Sequence, residues 1–344
     1  MKNVVSWRCV LVLALALAGC NGETTAGSDG APDLGSPDAP RPRDAGDTAS
    51  PDGLADLQPP DLVRSGELTL LTYNVAGLPY GLSQSDPDKN TPLISPLLNH
   101  FELALMQEDF AYTQKLASKA NHPYKSTPGA PQGTILNDGL TLFSDYPFNN
   151  LVRHKWSQCN GVFDHANDCL AAKGFCVAEL ELAPGVRVDL YNLHMDAGGA
   201  LGDYNARAAQ VAQLLAELDT RSKGHPVIIG GDTNLQERQD RNVDDIGLLD
   251  TLLKQAQLSD ACRALSCGDE RIDRVLYRGS ASVTLEALSW AVDPRFVDQD
   301  GNDLSDHKAV AVKISWRTGS QPVDAGAVLD GAPADGAPEG APAD

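Results

Sequence analysis

Short apolar runs of strand type recur through the middle of this 344-residue chain, and several lead directly into a polar residue of a chemically useful kind. The clearest run is VIIGG, which leads into Asp232 and Asn234. Apolar runs of four to eight residues with β-branched side chains are typical of buried strands. Three further runs end in the same manner, at Asn74, Glu108 and His194. The repetition predicts that one edge of a sheet collects these polar groups into a single site.

Helices are predicted between these strands. Apolar residues at helical spacing predict helices over 203–221 and 244–257, and shorter ones over 92–101 and 111–120. Strands are predicted at 68–74, 103–107, 139–143, 150–156, 174–182, 186–193, 227–232, 271–278, 283–290 and 308–315. Strands interleaved with helices, with hairpin-like pairs in the middle, predict an α/β fold. Two packed mixed sheets flanked by helices, a four-layered sandwich, fit the length.

The amino-terminal segment 1–20 has the composition of an export signal. It has a basic start, a short apolar core and the end LAGC. The apolar core is too short for a permanent membrane span. LAGC resembles the lipobox of bacterial lipoproteins, in which Cys20 becomes the lipid-modified residue; an ordinary cleaved signal is the alternative. We therefore expect an exported protein that is anchored at Cys20 in the outer membrane or at the cell surface, or else secreted.

Two segments are rich in Asp, Pro, Ala and Gly, namely 21–65 and 318–344. Such segments bury too little apolar surface to offset their ordering entropy, so we predict a disordered linker and a disordered tail. The remaining 66–317 is long enough for one domain. The whole chain carries a net charge of −20, and the domain itself is acidic. An acidic domain argues against a stable nucleic-acid partner, and we expect a monomer.

Five cysteines lie beyond the signal segment, at positions 159, 169, 176, 262 and 267. An exported protein can form disulfides, and Cys262 and Cys267 are close enough to pair. Two of the first three cysteines can also pair, which leaves one thiol over. A zinc site is the alternative, but the chain lacks a paired C-x-x-C spacing.

Each polar residue taken singly permits two interpretations. Asn74 and Glu108 offer oxygens that suit a hard cation, but Asn often closes a strand and an acid often begins a helix. In GDTN the glycines allow close backbone approach, and Asp232 and Asn234 face one pocket if the strand pleat continues.

The segment SDH adds a carboxylate and an imidazole, Asp306 and His307. Asp306 could hold a cation, while His307 could transfer a proton or bind a phosphate oxygen. Asp273 could orient His307 and raise the pKa of His307, or it could form a salt bridge with Arg274 or Arg271. His194 could be the second imidazole of an acid/base site.

The order of these residues resembles that of the endonuclease/exonuclease/phosphatase superfamily, which has the DNase I-like fold, over 68–315. Within it, TYNVAGLPYG, FELALMQEDF and DGLTLFSDYPF are similar to motifs of neutral sphingomyelinases, although Glu102 replaces the usual Asp. Asp168 precedes Lys173 by five residues, as in the Asp/Lys pair of that family; an ordinary surface lysine is the alternative. The exposed aromatic hairpin of secreted bacterial sphingomyelinases is missing, because the segment 157–169 is more polar.

The resemblance implies a role for each residue. Glu108 would be the principal Mg²⁺ ligand with Asn74 and Asp306, and Mn²⁺ or another divalent cation is an alternative. Asp232 and Asn234 would position the attacking water and the phosphate.

The remaining implied roles concern the histidines and the Asp/Lys pair. His307, oriented by Asp273, would be a general base or a phosphate contact. His194 would stabilise the phosphate or protonate the leaving alcohol. Asp168 and Lys173 would complete the catalytic set.

The implied function is Mg²⁺-dependent hydrolysis of a phosphodiester by direct in-line attack of water. The resemblance favours sphingomyelin as the substrate, with ceramide and phosphocholine as products. An exported nuclease, a phosphoinositide or other phosphate-ester phosphatase, and a surface lipoprotein that only binds are the alternatives, because a fold does not fix a substrate.

Overall fold

The computed structural model describes residues 64–79, 85–161, 168–237, 243–268 and 272–319. The predicted signal with Cys20, and nearly all of the predicted linker and tail, lie outside the described residues. Within these ranges, none of the helices combines the length and the apolar character that a membrane span requires.

The described residues form twelve strands in two sheets of six. The strands are β1 (Ser65–Asn74), β2 (Leu103–Gln107), β3 (Tyr124–Lys125), β4 (Thr141–Ser144), β5 (Phe148–Lys155), β6 (Gly174–Ala183), β7 (Val186–His194), β8 (Val227–Asp232), β9 (Ser259–Asp260), β10 (Asp273–Arg278), β11 (Val283–Val292) and β12 (Val310–Thr318). The helices are α1 (Pro87–Leu97), α2 (Thr113–Ala117), α3 (Leu201–Thr220), α4 (Asp245–Ala256) and α5 (Ala261–Ala264), with short 3-10 turns at Leu98–His100 and Asp168–Leu170.

Both sheets are mixed. The first has the order β11-β12-β1-β2-β4-β3 and the second the order β5-β6-β7-β8-β10-β9. The pairs β1–β2 and β7–β8 are parallel, and the other pairs are antiparallel. The predicted α/β sandwich is confirmed.

Alternating side chains of each strand build three hydrophobic clusters. Leu70 of β1 and Leu105 of β2 point between the sheets, where they join Leu190 of the second sheet. Their neighbours in sequence pack outward, so that α1 and α2 cover the first sheet and α3 and α4 cover the second. This period of two follows from the strand pleat and gives the sandwich its four layers.

The predicted helix bounds needed correction at the short helices. α1 begins at Pro87 rather than at 92, because Asp86 caps it by accepting a 3.3 Å hydrogen bond from the Lys89 N–H. α2 is only five residues long, and the two-residue strands β3 and β9 were not predicted. Elements this short carry too few residues for a periodic pattern.

The two disulfides agree with the sequence prediction. Cys159 pairs with Cys169 and Cys262 pairs with Cys267, while Cys176 is a buried free thiol. The first disulfide lies next to Asp168, because Asp168 directly precedes Cys169.

Candidate active site

The ends of four central strands bring the predicted polar residues to one edge of the sandwich. In the first sheet Asn74 lies opposite Gln107, the last residue of β2. In the second sheet Asp232 lies opposite both His194 and Asp273. The carboxyl ends of the parallel pairs therefore face the same region from the two sheets.

The side-chain amide of Asn74 is the meeting point of the two sheets. Its Nδ2 lies 3.2 Å from Glu108 Oε1, 3.2 Å from Asp232 Oδ2 and 3.4 Å from His307 Nε2. Its Oδ1 accepts a 3.0 Å hydrogen bond from the Ala76 N–H. Asn74 is completely buried, so its amide is held by these partners rather than by solvent.

Glu108 reaches the site because the backbone leaves the strand geometry at that residue. Leu103 and Leu105 point between the sheets, so a continued pleat would aim Glu108 at the outer face. Glu108 instead has a φ of 57°, in the left-handed region, which turns its carboxylate inward. The turn fits closely against Gly77, where an added Cβ would lie 2.4 Å from the Glu108 carbonyl oxygen. Glu108 does not begin a helix, since α2 starts only at Thr113.

His307 and Asp273 form an imidazole–carboxylate pair, with His307 Nδ1 2.8 Å from Asp273 Oδ2. Arg274, one alternative partner of Asp273, pairs with Asp260 instead. Burial would lower the pKa of His307, but the charges of Asp273 and Asp232 outweigh it and raise that pKa to about 10. The imidazole therefore carries a positive charge at neutral pH and presents Nε2 to the site.

Asp232 lies between the two histidines. Its Oδ2 is 3.3 Å from His194 Nε2 and 3.6 Å from His307 Nε2. Burial would raise the pKa of Asp232, yet the positive field of His307 and the hydrogen bond from His194 hold that pKa below its usual value. Asp232 is thus a buried, ionised carboxylate that faces an imidazole on either side.

His194 is the more deeply buried of the two imidazoles. Its Nε2 also lies 3.8 Å from Glu108 Oε1, and its Nδ1 has no hydrogen-bond partner among the described residues. The Trp156 indole N–H donates a 2.7 Å hydrogen bond to the His194 carbonyl, which fixes the end of β7.

The sequence predicts that a continued strand pleat places Asn234, but the structure places it by a turn. β8 ends at Asp232, and Asn234 has a left-handed φ of 50°. Its N–H donates to Asp232 Oδ1 (3.0 Å), and its side-chain amide donates to the Met195 carbonyl (3.1 Å). Asn234 therefore holds Asp232 against the end of β7.

Asp168 and Lys173 form the predicted ion pair. Lys173 Nζ donates to Asp168 Oδ1, while Asp168 Oδ2 accepts from the Ala197 N–H at 2.9 Å. The Lys173 side chain is only 11% exposed, so the alternative of a surface lysine is wrong. Burial would lower the pKa of Lys173, but the charges of Asp168, Glu108 and Asp232 raise it, which leaves a fixed positive charge beside the cluster.

Asp306 lies at the exposed border of the cluster. Its carboxylate accepts a 3.3 Å hydrogen bond from Ser305 Oγ, which also donates to the Asn74 carbonyl at 2.7 Å. Its link to Asn74 therefore runs through Ser305. The negative charge of Asp306 contributes to the raised pKa of His307.

The donors of the cluster fit a divalent cation. Asp232, Asp273 and His307 have ligand-type atoms within 4.8 Å of one another, which is a different group from the predicted ligands Asn74, Glu108 and Asp306. Because His307 is positively charged, the two carboxylates are the cation ligands that this group offers. Asp273 Oδ1 is buried and has no hydrogen-bond partner among the described residues. Carboxylate and amide oxygens are the ligands that Mg²⁺ and Mn²⁺ favour.

Three residues of this region were not predicted from the sequence. They are Ser305, Gln107 and Asn192. The signal was present for two of them, since Gln107 and Asn192 are amides within otherwise apolar runs, LALMQ and VDLYN. Buried polar side chains need specific partners, and the partners lie far away in sequence.

Comparison with known proteins identifies relatives over most of the described residues. Residues 71–307 match the Endonuclease/Exonuclease/phosphatase family. A sphingomyelinase of Mycobacterium bovis is 34% identical over 278 residues, which covers 73% of this chain and 53% of that protein. The chain therefore spans about half the length of this relative.

Solved structures of low sequence identity share the fold. Sphingomyelinase C from Streptomyces griseocarneus has a TM-score of 0.53 at 19% identity and covers 72% of this chain and 99% of that one. A beta toxin variant from Staphylococcus aureus with bound magnesium ions has a TM-score of 0.53 at 18% identity, with the same coverage of 72% and 99%.

Proposed function

The chain belongs to the endonuclease/exonuclease/phosphatase family, and on that premise we propose that it is a Mg²⁺-dependent phosphodiesterase that hydrolyses sphingomyelin to ceramide and phosphocholine. One observation carries the proposal: the ionised Asp232 lies between two imidazoles and shares the Asn74 amide with Glu108. The mycobacterial relative named sphingomyelinase supports the choice of substrate.

Glu108, Asn74 and Asp306 would hold the cation. Bound there, Mg²⁺ supplies positive charge that polarises the phosphodiester and stabilises the charge that develops on its oxygens. Mn²⁺ would serve the same donors, since both ions prefer oxygen ligands. Glu108 is suited to this role because its backbone turn aims the carboxylate into the cluster.

Asp232 acts on the attacking water, and His307 acts on the phosphate. Asp232, kept ionised, accepts a hydrogen bond from the attacking water and orients it, and Asn234 fixes Asp232 in turn. His307 donates from Nε2 to a phosphate oxygen, because Asp273 holds its Nδ1. The water oxygen forms a bond to phosphorus while the bond from phosphorus to the ceramide oxygen breaks, and the proton that the water loses passes to Asp232.

His194 and Lys173 complete the site. His194 delivers a proton to the departing ceramide oxygen and regains one from Asp232, whose Oδ2 lies 3.3 Å from its Nε2. Lys173 is held by Asp168 and offsets the negative charge of the phosphate. No covalent intermediate is needed, since water attacks phosphorus directly.

Parallel assays test the proposal. We expect release of phosphocholine from sphingomyelin vesicles with Mg²⁺, its loss with a chelator and its recovery on addition of Mg²⁺. Plasmid DNA should stay intact under the same conditions. DNA cleavage without phosphocholine release would establish the nuclease instead.

A pair of variants tests the site itself. Glu108→Gln should lower kcat roughly 10³-fold, because it removes a charged cation ligand. Glu286→Gln, at an exposed position of β11 in the same sheet, should leave kcat unchanged. An unaltered rate for Glu108→Gln would show that the site is elsewhere.

We also propose that the protein is exported and that a lipid on Cys20 anchors it in the cell envelope. The support is the sequence of 1–20, in which a short apolar core precedes LAGC. An anchor of this kind would keep the site near a membrane lipid substrate.

A further inference from the structure

The cluster is assembled from two half-sites that belong to different sheets. Asn74 ends β1 and Glu108 follows β2, both of the first sheet, whereas His194, Asp232 and Asp273 lie in strands of the second. Apolar contacts fill most of the space between the sheets. Such contacts are non-directional, so they do not by themselves fix the sideways position of one sheet against the other.

A polar bridge crosses this apolar interface. Gln107 Nε2 of the first sheet donates to Asn192 Oδ1 of the second at 2.8 Å. Asn192 Nδ2 donates in return to the Met106 and Thr141 carbonyls of the first sheet, at 3.0 and 3.2 Å. Thr72 Oγ1 accepts from Gln107 Nε2 at 3.2 Å.

The bridge consists of buried hydrogen bonds, whose strength depends on direction. Thr72, Gln107 and Asn192 are all completely buried, at 0% exposure. A buried amide costs free energy unless it is hydrogen-bonded, so any sideways shift of the sheets would leave these groups unsatisfied. The bridge therefore resists motions that the apolar contacts tolerate.

The bridge lies one side-chain layer below the cluster. Thr72 precedes Asn74 by two residues and Asn192 precedes His194 by two, so each shares a strand face with the residue above it. Gly230 stands in the same relation to Asp232, and an added Cβ there would lie 2.3 Å from Leu105 Cδ1 of the opposite sheet. The sheets thus approach closely at this layer.

We propose that Gln107 and Asn192 are positioning residues whose amide–amide hydrogen bond sets the register between the sheets, and so places Glu108 against His194. The inference rests on the proposed function for its kinetic readout. It assigns neither residue a contact with the substrate. The cation ligands Asn74 and Glu108 lie on one side of the bridge, so their affinity for Mg²⁺ should not depend on it.

The test is a double-mutant cycle on Gln107→Met and Asn192→Leu. Each single variant should lower kcat about 30- to 100-fold, since a misplacement of about 1 Å costs rates of that order. KM and the Mg²⁺ dissociation constant, measured by calorimetry, should change less than about threefold. The double variant should lose clearly less than the product of the two single effects, because each substitution already removes the Gln107–Asn192 bond. Asn192→Leu also removes the bonds to the Met106 and Thr141 carbonyls. Multiplied effects, or a parallel loss of Mg²⁺ affinity, would overturn the proposal.

Two further variants separate positioning from general damage. Leu252→Ala opens the core between α4 and the second sheet, away from the bridge, and should lower the thermal midpoint while kcat stays near wild type. Thr72→Val removes one acceptor with little change of shape and should lower kcat about three- to tenfold, which provides a milder test if Gln107→Met does not fold. A kcat that falls in step with stability in all these variants would contradict a positioning role.

A wild-type protein that hydrolyses neither substrate would defeat the proposed function but not the bridge. The crystal structure of Gln107→Met then decides. We expect the separation of Glu108 Oε1 from His194 Nε2, now 3.8 Å, to change by about 1 Å. An unchanged separation would overturn the proposal.

Discussion

At the scale of single residues, two buried carboxylates of this region have pKa values shifted in opposite directions: that of Asp232 is lowered and that of Asp196 is raised. Asp232 stays ionised because two imidazoles face it. Asp196, two residues beyond His194, is equally buried but has fewer hydrogen-bond partners. Its Oδ2 accepts from the Asn160 N–H at 2.9 Å, and its Oδ1 has no partner among the described residues. Burial, and then the charge of Asp168, raise the pKa of Asp196 to about 7.

This raised pKa predicts a pH-dependent cost of folding. Above about pH 4 the unfolded chain releases the Asp196 proton while the folded protein retains it, so stability falls as the pH rises and levels off above about pH 7. Asp196→Asn should therefore increase the free energy of unfolding by about 2–3 kcal/mol at pH 8 and by almost nothing near pH 4. Urea unfolding at the two pH values measures the difference.

Asp219→Asn is the matched control for this prediction. Asp219 lies on the exposed side of α3, near Lys223. Its substitution should give the same small change at both pH values, because exposed pairs contribute little. A gain from Asp196→Asn that is equal at pH 4 and pH 8 would refute the assignment of this cost to Asp196.

At the scale of elements, the disulfide between Cys159 and Cys169 braces one side of the site. The Cys169 N–H donates to the Gly161 carbonyl at 3.0 Å. Asp168, which is bonded to Lys173, directly precedes Cys169 in the same 3-10 turn. The Asn160 side chain donates to Asp203 in the first turn of α3. The disulfide thus ties the Asp168–Lys173 pair to the start of a helix.

Removal of this disulfide should affect both stability and rate. Replacing Cys159 and Cys169 by Ser should cost about 3 kcal/mol by the loop-entropy relation, and should lower kcat about tenfold as Asp168 loosens its hold on Lys173. The Cys262–Cys267 disulfide closes a shorter loop, so its removal should cost about 2 kcal/mol and leave kcat unchanged. Chemical denaturation and initial rates report the two quantities; equal losses of kcat in the two pairs would contradict the bracing role.

The sequence allowed the long elements to be predicted well and the local turns poorly. The predicted helix 203–221 corresponds to Leu201–Thr220, since its apolar stripe repeats over five turns. Asn74, His194 and Asp232 were found because each ends a recognisable strand, and Glu108 because it directly follows one. The left-handed turn at Glu108 and the contact of Gln107 with Asn192 depend on neighbours 31 or more positions away, such as Gly139 packed against Glu108, and no local pattern encodes them.

At the scale of the whole molecule, the amino-terminal segment predicts that a lipid on Cys20 attaches the protein to a membrane. Wild-type protein expressed in a bacterial host should incorporate a clickable palmitate analogue and sediment with membranes, because Cys20 would carry the lipid. Cys20→Ser should abolish both signals, with kcat on micellar sphingomyelin unchanged.

Cys9→Ser is the control, since Cys9 lies within the apolar core of the same segment. It should keep the label and the membrane association. Labelling that persists in Cys20→Ser, or that disappears equally in Cys9→Ser, would exclude Cys20 as the site of the anchor.

The last strand of the described fold lies in the interior of its sheet. β12 pairs with β1 on one side and β11 on the other, and His307 immediately precedes it. A chain that is cut ahead of His307 would lose one imidazole of the cluster together with β12, and β1 would be left with an open edge. Closure of the first sheet and completion of the site therefore depend on one stretch of chain, so a single proteolytic cut ahead of His307 should undo both.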